Sequence, residues 1–96
     1  MKYYIITFDR NSEAKYGSFH KDFVNHHRIS KWFHYIKSSY IVGTTLSVEE
    51  LSDHYSKIAK EHGLSTTHLI MEVVLGNRQG RLTDDAWKWL QKNTIG

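Results

Sequence analysis

The 96-residue chain predicts an α+β fold with an antiparallel sheet. Three observations lead there. Short runs rich in aromatic and β-branched residues read as strands. Two stretches between them carry apolar residues at helical spacing. No run long enough for a parallel βαβ array follows, and a last helical pattern occupies residues 83–92.

Residues 2–9 form the first strand: Tyr4, Ile6 and Phe8 alternate with Tyr3, Ile5 and Thr7. Both sets are apolar enough to place it centrally in the sheet. Residues 10–18 are polar and form a loop, and Ser18 caps a first helix running to about Ile29 on the stripe Phe19, Phe23 and Val24. Trp32 to Tyr35 and Tyr40 to Val42 make a β-hairpin or one bent strand, broken near Lys37–Ser38. Ser47 with Glu50 three residues on is a capping-box pattern opening a second helix. Leu51, Tyr55, Ile58 and Ala59 are its inner face, and Gly63 stops it. Residues 68–75 are the most hydrophobic strand, 76–80 a turn, and Thr83 caps the final helix, with Asp84 and Asp85 in its first turn. The order β-α-β-β-α-β with a helical tail is the ferredoxin-like arrangement, one domain over 1–96, with two helices on one sheet face. The last helix or a second subunit then covers the other face.

A domain of this size buries only about 60–65% of the surface its unfolded chain exposes. Without cysteine there is no disulfide and no thiolate metal site. Six Tyr, four Phe and three Trp exceed what one small core encloses, which points to a homodimer or higher homo-oligomer. The opening MKYYIITFDR meets charge too early for a signal peptide, and no run reaches transmembrane length, so the expectation is a cytoplasmic protein with no membrane partner. The formal net charge is +3. Lys15, Lys21, Arg28, Lys31 and Lys37 lie within one segment with a single acid, Asp22, alongside His20, His26, His27 and His34. Such a segment attracts polyanions, and the plainer account is a solvated face.

The strand ending Phe8-Asp9, the segment Trp32, Tyr35-Ile36 and Ser39-Tyr40-Ile41-Val42, the run Leu46 to Leu51, and Gln79-Gly80, Leu82 and Ala86 to Leu90 together resemble a known family. It is that of the small CRISPR-adaptation protein that partners the integrase, and more closely its SinR-like relatives. The likeness covers most of the chain. It implies a ferredoxin-like homodimer. In some members an Asp at the position of Asp9 pairs across the two-fold and holds Mg²⁺ for phosphodiester cleavage. Others are non-catalytic and act as architecture on DNA. Here Asp9 is followed directly by Arg10, and no second acid is placed beside it.

Asp9 therefore has two readings. Mg²⁺ needs only one or two carboxylates besides phosphate and water, so a symmetric pair would serve. The favoured alternative is a strand-end Asp that caps the next turn or pairs with Arg10. The histidines have no metal-ligand spacing: His26 and His27 are adjacent and diverge if helical, while His68 and Glu72 share a strand face as two ligands only. GNRQGRL lacks the Lys-Ser/Thr of a phosphate loop, although Arg78 and Arg81 would fork onto a phosphate from the side. Trp87 and Trp89 face nearly opposite ways on a helix, so one enters the core and the other is left for a partner or a base.

Three functions are consistent with this inventory. The favoured one is a non-catalytic homo-oligomeric binder of a phosphodiester ligand, nucleic acid or a small cyclic oligonucleotide, needing no cofactor. Its ligand-binding candidates are Arg10, Lys15, Arg28, Lys31, Trp32, Tyr40, Arg78 and Arg81. By analogy, a phage-type protein that sequesters a nucleotide signal of prokaryotic defence suits this size. The second is a Mg²⁺-dependent nuclease with Asp9 as catalytic and metal-holding residue. The third is a protein-interaction module using a spare sheet face or edge.

Overall fold

The computed structural model describes residues 1–9, 16–65 and 67–95. It is an α+β fold with elements in the order β1 (Lys2–Phe8), α1 (Tyr16–Val24), β2 (Ile29–Ile36), β3 (Ser39–Thr44), α2 (Val48–Glu61), β4 (His68–Glu72) and α3 (Asp84–Ile95). The four strands form one antiparallel sheet in the order β2-β3-β1-β4, so β1 is internal, as its two apolar faces require. The arrangement is compatible with a small ferredoxin-like fold. None of the described helices is long and apolar enough to cross a membrane.

Strand alternation divides the side chains between two layers. Tyr4, Ile6 and Phe8 of β1 and Tyr40 and Val42 of β3 turn to one face and are buried against Phe19 and Phe23 of α1 and Leu51 and Tyr55 of α2. Much of this core is aromatic. Phe8 stacks on Tyr16 at 5.9 Å and on Tyr40 at 5.6 Å, and Phe19 meets Tyr55 edge-on at 5.1 Å. Burial, with Tyr16 and Tyr40 nearby, pushes the Tyr55 phenol well above its ordinary value, so it stays neutral.

The opposite face carries the row Phe33–Ile41–Ile5–Met71, aligned straight across the sheet by the register. α3 lies over part of it. Ala86 and Leu90 are buried, and Trp89 stands edge-on to Tyr3 at 6.4 Å and to Phe33 at 5.6 Å. Trp89 is thus the inward indole of the pair, and Trp87 lies beneath Arg78, whose guanidinium carbon is 5.9 Å from its ring. The Tyr3 ring crosses β3 at Gly43, where an added Cβ would come within 2.8 Å of Tyr3 Cε1. Glycine there lets Tyr3 lie flat enough to meet α3.

Several boundaries differ from those the sequence predicts. Ser18 sits inside α1 rather than capping it, because the helix already includes Tyr16, whose ring is buried in the core. α1 ends at Val24, not Ile29. Ile29 is buried and pairs with Thr44, so the sheet claims it, and His26 Nδ1 accepts from the Arg28 N–H at 3.0 Å to make the turn between them. His26 and His27 are therefore outside the helix, with stacked rings. β4 stops at Glu72 rather than Leu75: Val73 N–H still bonds Tyr3 O, but the chain then turns away, Asn77 N–H donating to Val74 O at 3.2 Å. α3 runs on to Ile95 rather than ending near Lys92.

α2 opens on the expected capping box. Glu50 N–H donates to Ser47 Oγ at 3.1 Å, and Ser47 N–H donates to Glu50 Oε1 at 2.9 Å. These bonds, with Arg28 behind them, hold the Glu50 carboxyl below its ordinary value. The hairpin turn falls at Lys37–Ser38 as expected, pinned by Phe8 N–H to Ser38 O at 3.0 Å.

Substitution at Gly43 tests how firmly Tyr3 is held. Gly43→Ala should cost about 1–3 kcal/mol in urea unfolding, since the ring is trapped under Trp89. Gly17, in α1 with nothing within 4 Å of an added Cβ, should tolerate alanine or gain up to about 1 kcal/mol. Equal responses at the two positions would mean that the Tyr3 ring is free to move.

Candidate functional site

Where α3 crosses the edge strand β2, an open cleft of about 350 Å³ forms. Ser30, Lys31 and Trp32 line it from β2, and Trp89, Lys92 and Asn93 from α3. Its chemistry follows from three local facts. Trp89, Lys92 and Asn93 are spaced i, i+3 and i+4, so one helix face presents an indole, an ammonium and an amide together. On the edge strand β2, Lys31 aligns with Gly43 and through it with Tyr3, while Trp32 aligns with Val42 on the alternate face. No carboxylate lines the cleft, and neither lysine forms an ion pair with a described residue.

The aromatic wall is held from behind. Trp89 is fixed by Tyr3 and Phe33, and its carbonyl accepts from Asn93 Nδ2 at 2.8 Å. Trp32 borders the cleft from β2, but its ring lies on the other face of the sheet, 41% exposed and edge-on to His20 at 4.7 Å. Tyr3 Oη is buried without a hydrogen-bond partner among the described residues, an orphaned donor under Trp89 in the row of Lys31.

Behind Trp32, His20 stacks on both His34 at 5.6 Å and Tyr40 at 5.5 Å, and its Nδ1 is 2.6 Å from Tyr40 Oη. Burial first, and the neighbouring His34 second, hold His20 below the ordinary imidazole value. A neutral ring with its lone pair on Nδ1 accepts the Tyr40 phenol proton. The second histidine group joins the α1–β2 turn to α2. His26 stacks on His27 at 4.8 Å and meets His54 edge-on at 4.8 Å, and burial, then His54, His27 and Arg28, hold it low.

The residues that the sequence offers as ligand-binding disperse over the molecule. Lys31 and Trp32 enter the cleft. Tyr40 does not: at 1% exposure its ring is core, and its hydroxyl is occupied by His20. Arg28 is a structural clamp, bonding Thr45 Oγ1 at 3.1 Å, Thr45 O at 2.7 Å and Glu50 Oε2 at 3.2 Å. Arg78 bonds Leu75 O and Thr94 Oγ1, both at 2.8 Å, and Arg81 is exposed beyond it. Arg10 and Lys15 lie outside the described residues.

Asp9 is exposed just past β1, its N–H donating to Thr67 O at 3.1 Å and its carbonyl accepting from Tyr16 Oη at 2.8 Å. Strand rise places it about 20 Å along β1 from the Tyr3–Lys31 row. Among the described residues no three His, Asp or Glu side chains come together as a metal-holding group.

Lys92 and Asn93 go unassigned in the sequence, though their spacing from Trp89 was the available signal. Compared with protein families, with curated proteins and with solved structures, the chain matches none.

His20 and His26 set a pH dependence. Both are lowered in the folded state, so below about pH 6.5 the unfolded chain binds more protons. Stability should be flat above that pH and fall as pH drops toward the folded-state values. A melting series from pH 8 to 5, followed by circular dichroism, should show this, and His20→Gln should remove part of the fall. An unchanged profile in that variant would place the titration elsewhere.

Proposed function

We propose that this protein is a non-catalytic binder of a phosphodiester ligand, single-stranded nucleic acid or a small cyclic oligonucleotide, working as a homo-oligomer on a ferredoxin-like sheet. The observation that carries the reading is the cleft between β2 and α3, with the ammonium groups of Lys31 and Lys92, the Trp89 indole and, among the described residues, no carboxylate, while the exposed Trp32 indole stands on the other face of the same edge strand. Ammonium groups take phosphate oxygens as point charges, and indole faces take bases of any sequence at about 1–3 kcal/mol each. The Asn93 amide and Ser30 hydroxyl add directional contacts to a base edge or sugar. The family likeness points the same way, toward its non-catalytic members that act as architecture on DNA. Sequestering a nucleotide signal of prokaryotic defence in a cytoplasm is the phage-type role that this chemistry suits. A nuclease built on Asp9 would place its metal at the far end of β1, away from both lysines and both indoles.

Self-association is supported by β4. It is an edge strand of five residues whose outward Leu69 and Met71 are 57% and 53% exposed, and Val74 just beyond is 76% exposed. A second copy packed over this uncovered end of the α3-side face, beside the open β4 edge, removes these side chains from water.

Fluorescence anisotropy with labelled oligothymidylate, and competition by cyclic dinucleotides, measure the binding directly. Lys31→Gln with Lys92→Gln should weaken it by about tenfold or more and flatten its salt dependence. Undiminished affinity in that pair sinks the assignment of the cleft. For the assembly, native mass spectrometry should show a dimer or larger, and Leu69→Lys with Met71→Lys should give monomer. A monomeric parent protein, or an unchanged oligomer in the variant, removes β4 as the contact.

A further inference from the structure

Trp89 also lines a second space, a cavity of about 270 Å³ between the outer sheet face and the segment leading into α3. Ile5, Phe33 and Ile41 come from the sheet, Leu82 and Leu90 from the other side. This volume is just below the roughly 300–1,000 Å³ of ordinary small-molecule sites, and its sheet side is apolar. Only one charged side chain borders it, Arg78, and no acid does.

Arg78 is unusually well prepared. Nη1 spends both of its protons, on Leu75 O and Thr94 Oγ1, and the Trp87 ring lies 5.9 Å from the guanidinium carbon. These contacts fix the plane of the group. Nε and Nη2 have no bond to a described residue, and together they make the edge that takes an oxyanion bidentately. Asn77 and Gln79 border the cavity beside it with their amides.

We infer that this cavity binds a small molecule with an apolar body and a single anionic group, distinct from the ligand of the Lys31–Lys92 cleft. The body rests on Ile5, Phe33 and Ile41, and the anion meets the free edge of Arg78. One cation bordering an otherwise apolar space selects a mono-anion over a phosphodiester chain, whose repeated charges would lie against hydrocarbon.

Octanoate and its neutral counterpart octanol are suitable probes, used with the whole chain below their aggregation limits. Octanoate should bind saturably, one per chain, and shift the methyl NMR signals of Ile5, Ile41 and Leu82. Arg78→Gln should weaken octanoate by about tenfold and octanol by less than about twofold. Several results would overturn the inference. Binding without saturation would do so, as would shifts confined to the cleft residues Lys31 and Lys92. Equal weakening of both probes would make Arg78 a clamp for the segment and not a ligand. Binding that appears only in the monomeric variant Leu69→Lys with Met71→Lys would identify a second copy as the occupant.

Discussion

The constraint on which the rest depends is the burial of β1 on two sides. A strand between β3 and β4 is paired along both edges, buried on one face and partly covered by α3 on the other, where Thr7 stays exposed. Its even positions Tyr4, Ile6 and Phe8 must fit the aromatic core, and its odd positions Tyr3 and Ile5 must receive α3. A one-residue slip would exchange these sets and put Tyr3, Ile5 and the polar Thr7 into the core layer. The register is fixed accordingly: Ile6 faces Tyr40 on one side and Ile70 on the other, and the buried Ser39 hydroxyl donates to Ile6 O at 3.0 Å.

From that register the candidate site follows in a short chain of contacts. Gly43 opens space beside Lys31, Tyr3 fills it, Trp89 stands on Tyr3, and α3 is thereby set at the angle that brings Lys92 and Asn93 to β2. Trp89 is then shared by two spaces of opposite character, a cationic cleft and an apolar cavity. One indole held by Tyr3 and Phe33 borders both, which lets a domain this small carry the two side by side.

Much of the fold was legible because local and global signals agreed. The alternation in β1, the Ser47–Glu50 pair and the inner face of α2 each carry enough information in a few residues to be read alone. The errors have a common origin. Ile29 looks like a helix residue until Thr44 claims it. Such boundaries are set by partners distant in sequence. The site was less legible for the same reason. Lys31 and Trp32 were visible as a cation beside an aromatic, whereas Lys92 joins them only through the docking of α3. Tyr40 and Arg28 had suitable chemistry for a ligand and were consumed by the interior and by α2.

The sheet order has a consequence in time. β2 and β3 are joined by a two-residue turn and form a hairpin from neighbours in the chain, on the scale of microseconds. β1 belongs between strands that both come much later in sequence, so its slot exists only after the hairpin and β4 have come together. Loop closure must be met before either pairing repays it, which raises the contact order and slows the final step. During synthesis the Tyr- and Ile-rich β1 is the first strand made and among the last secured, with two apolar faces and two unpaired edges until β4 arrives. The interval between those events is when the chain is most exposed to pairing with another copy of itself.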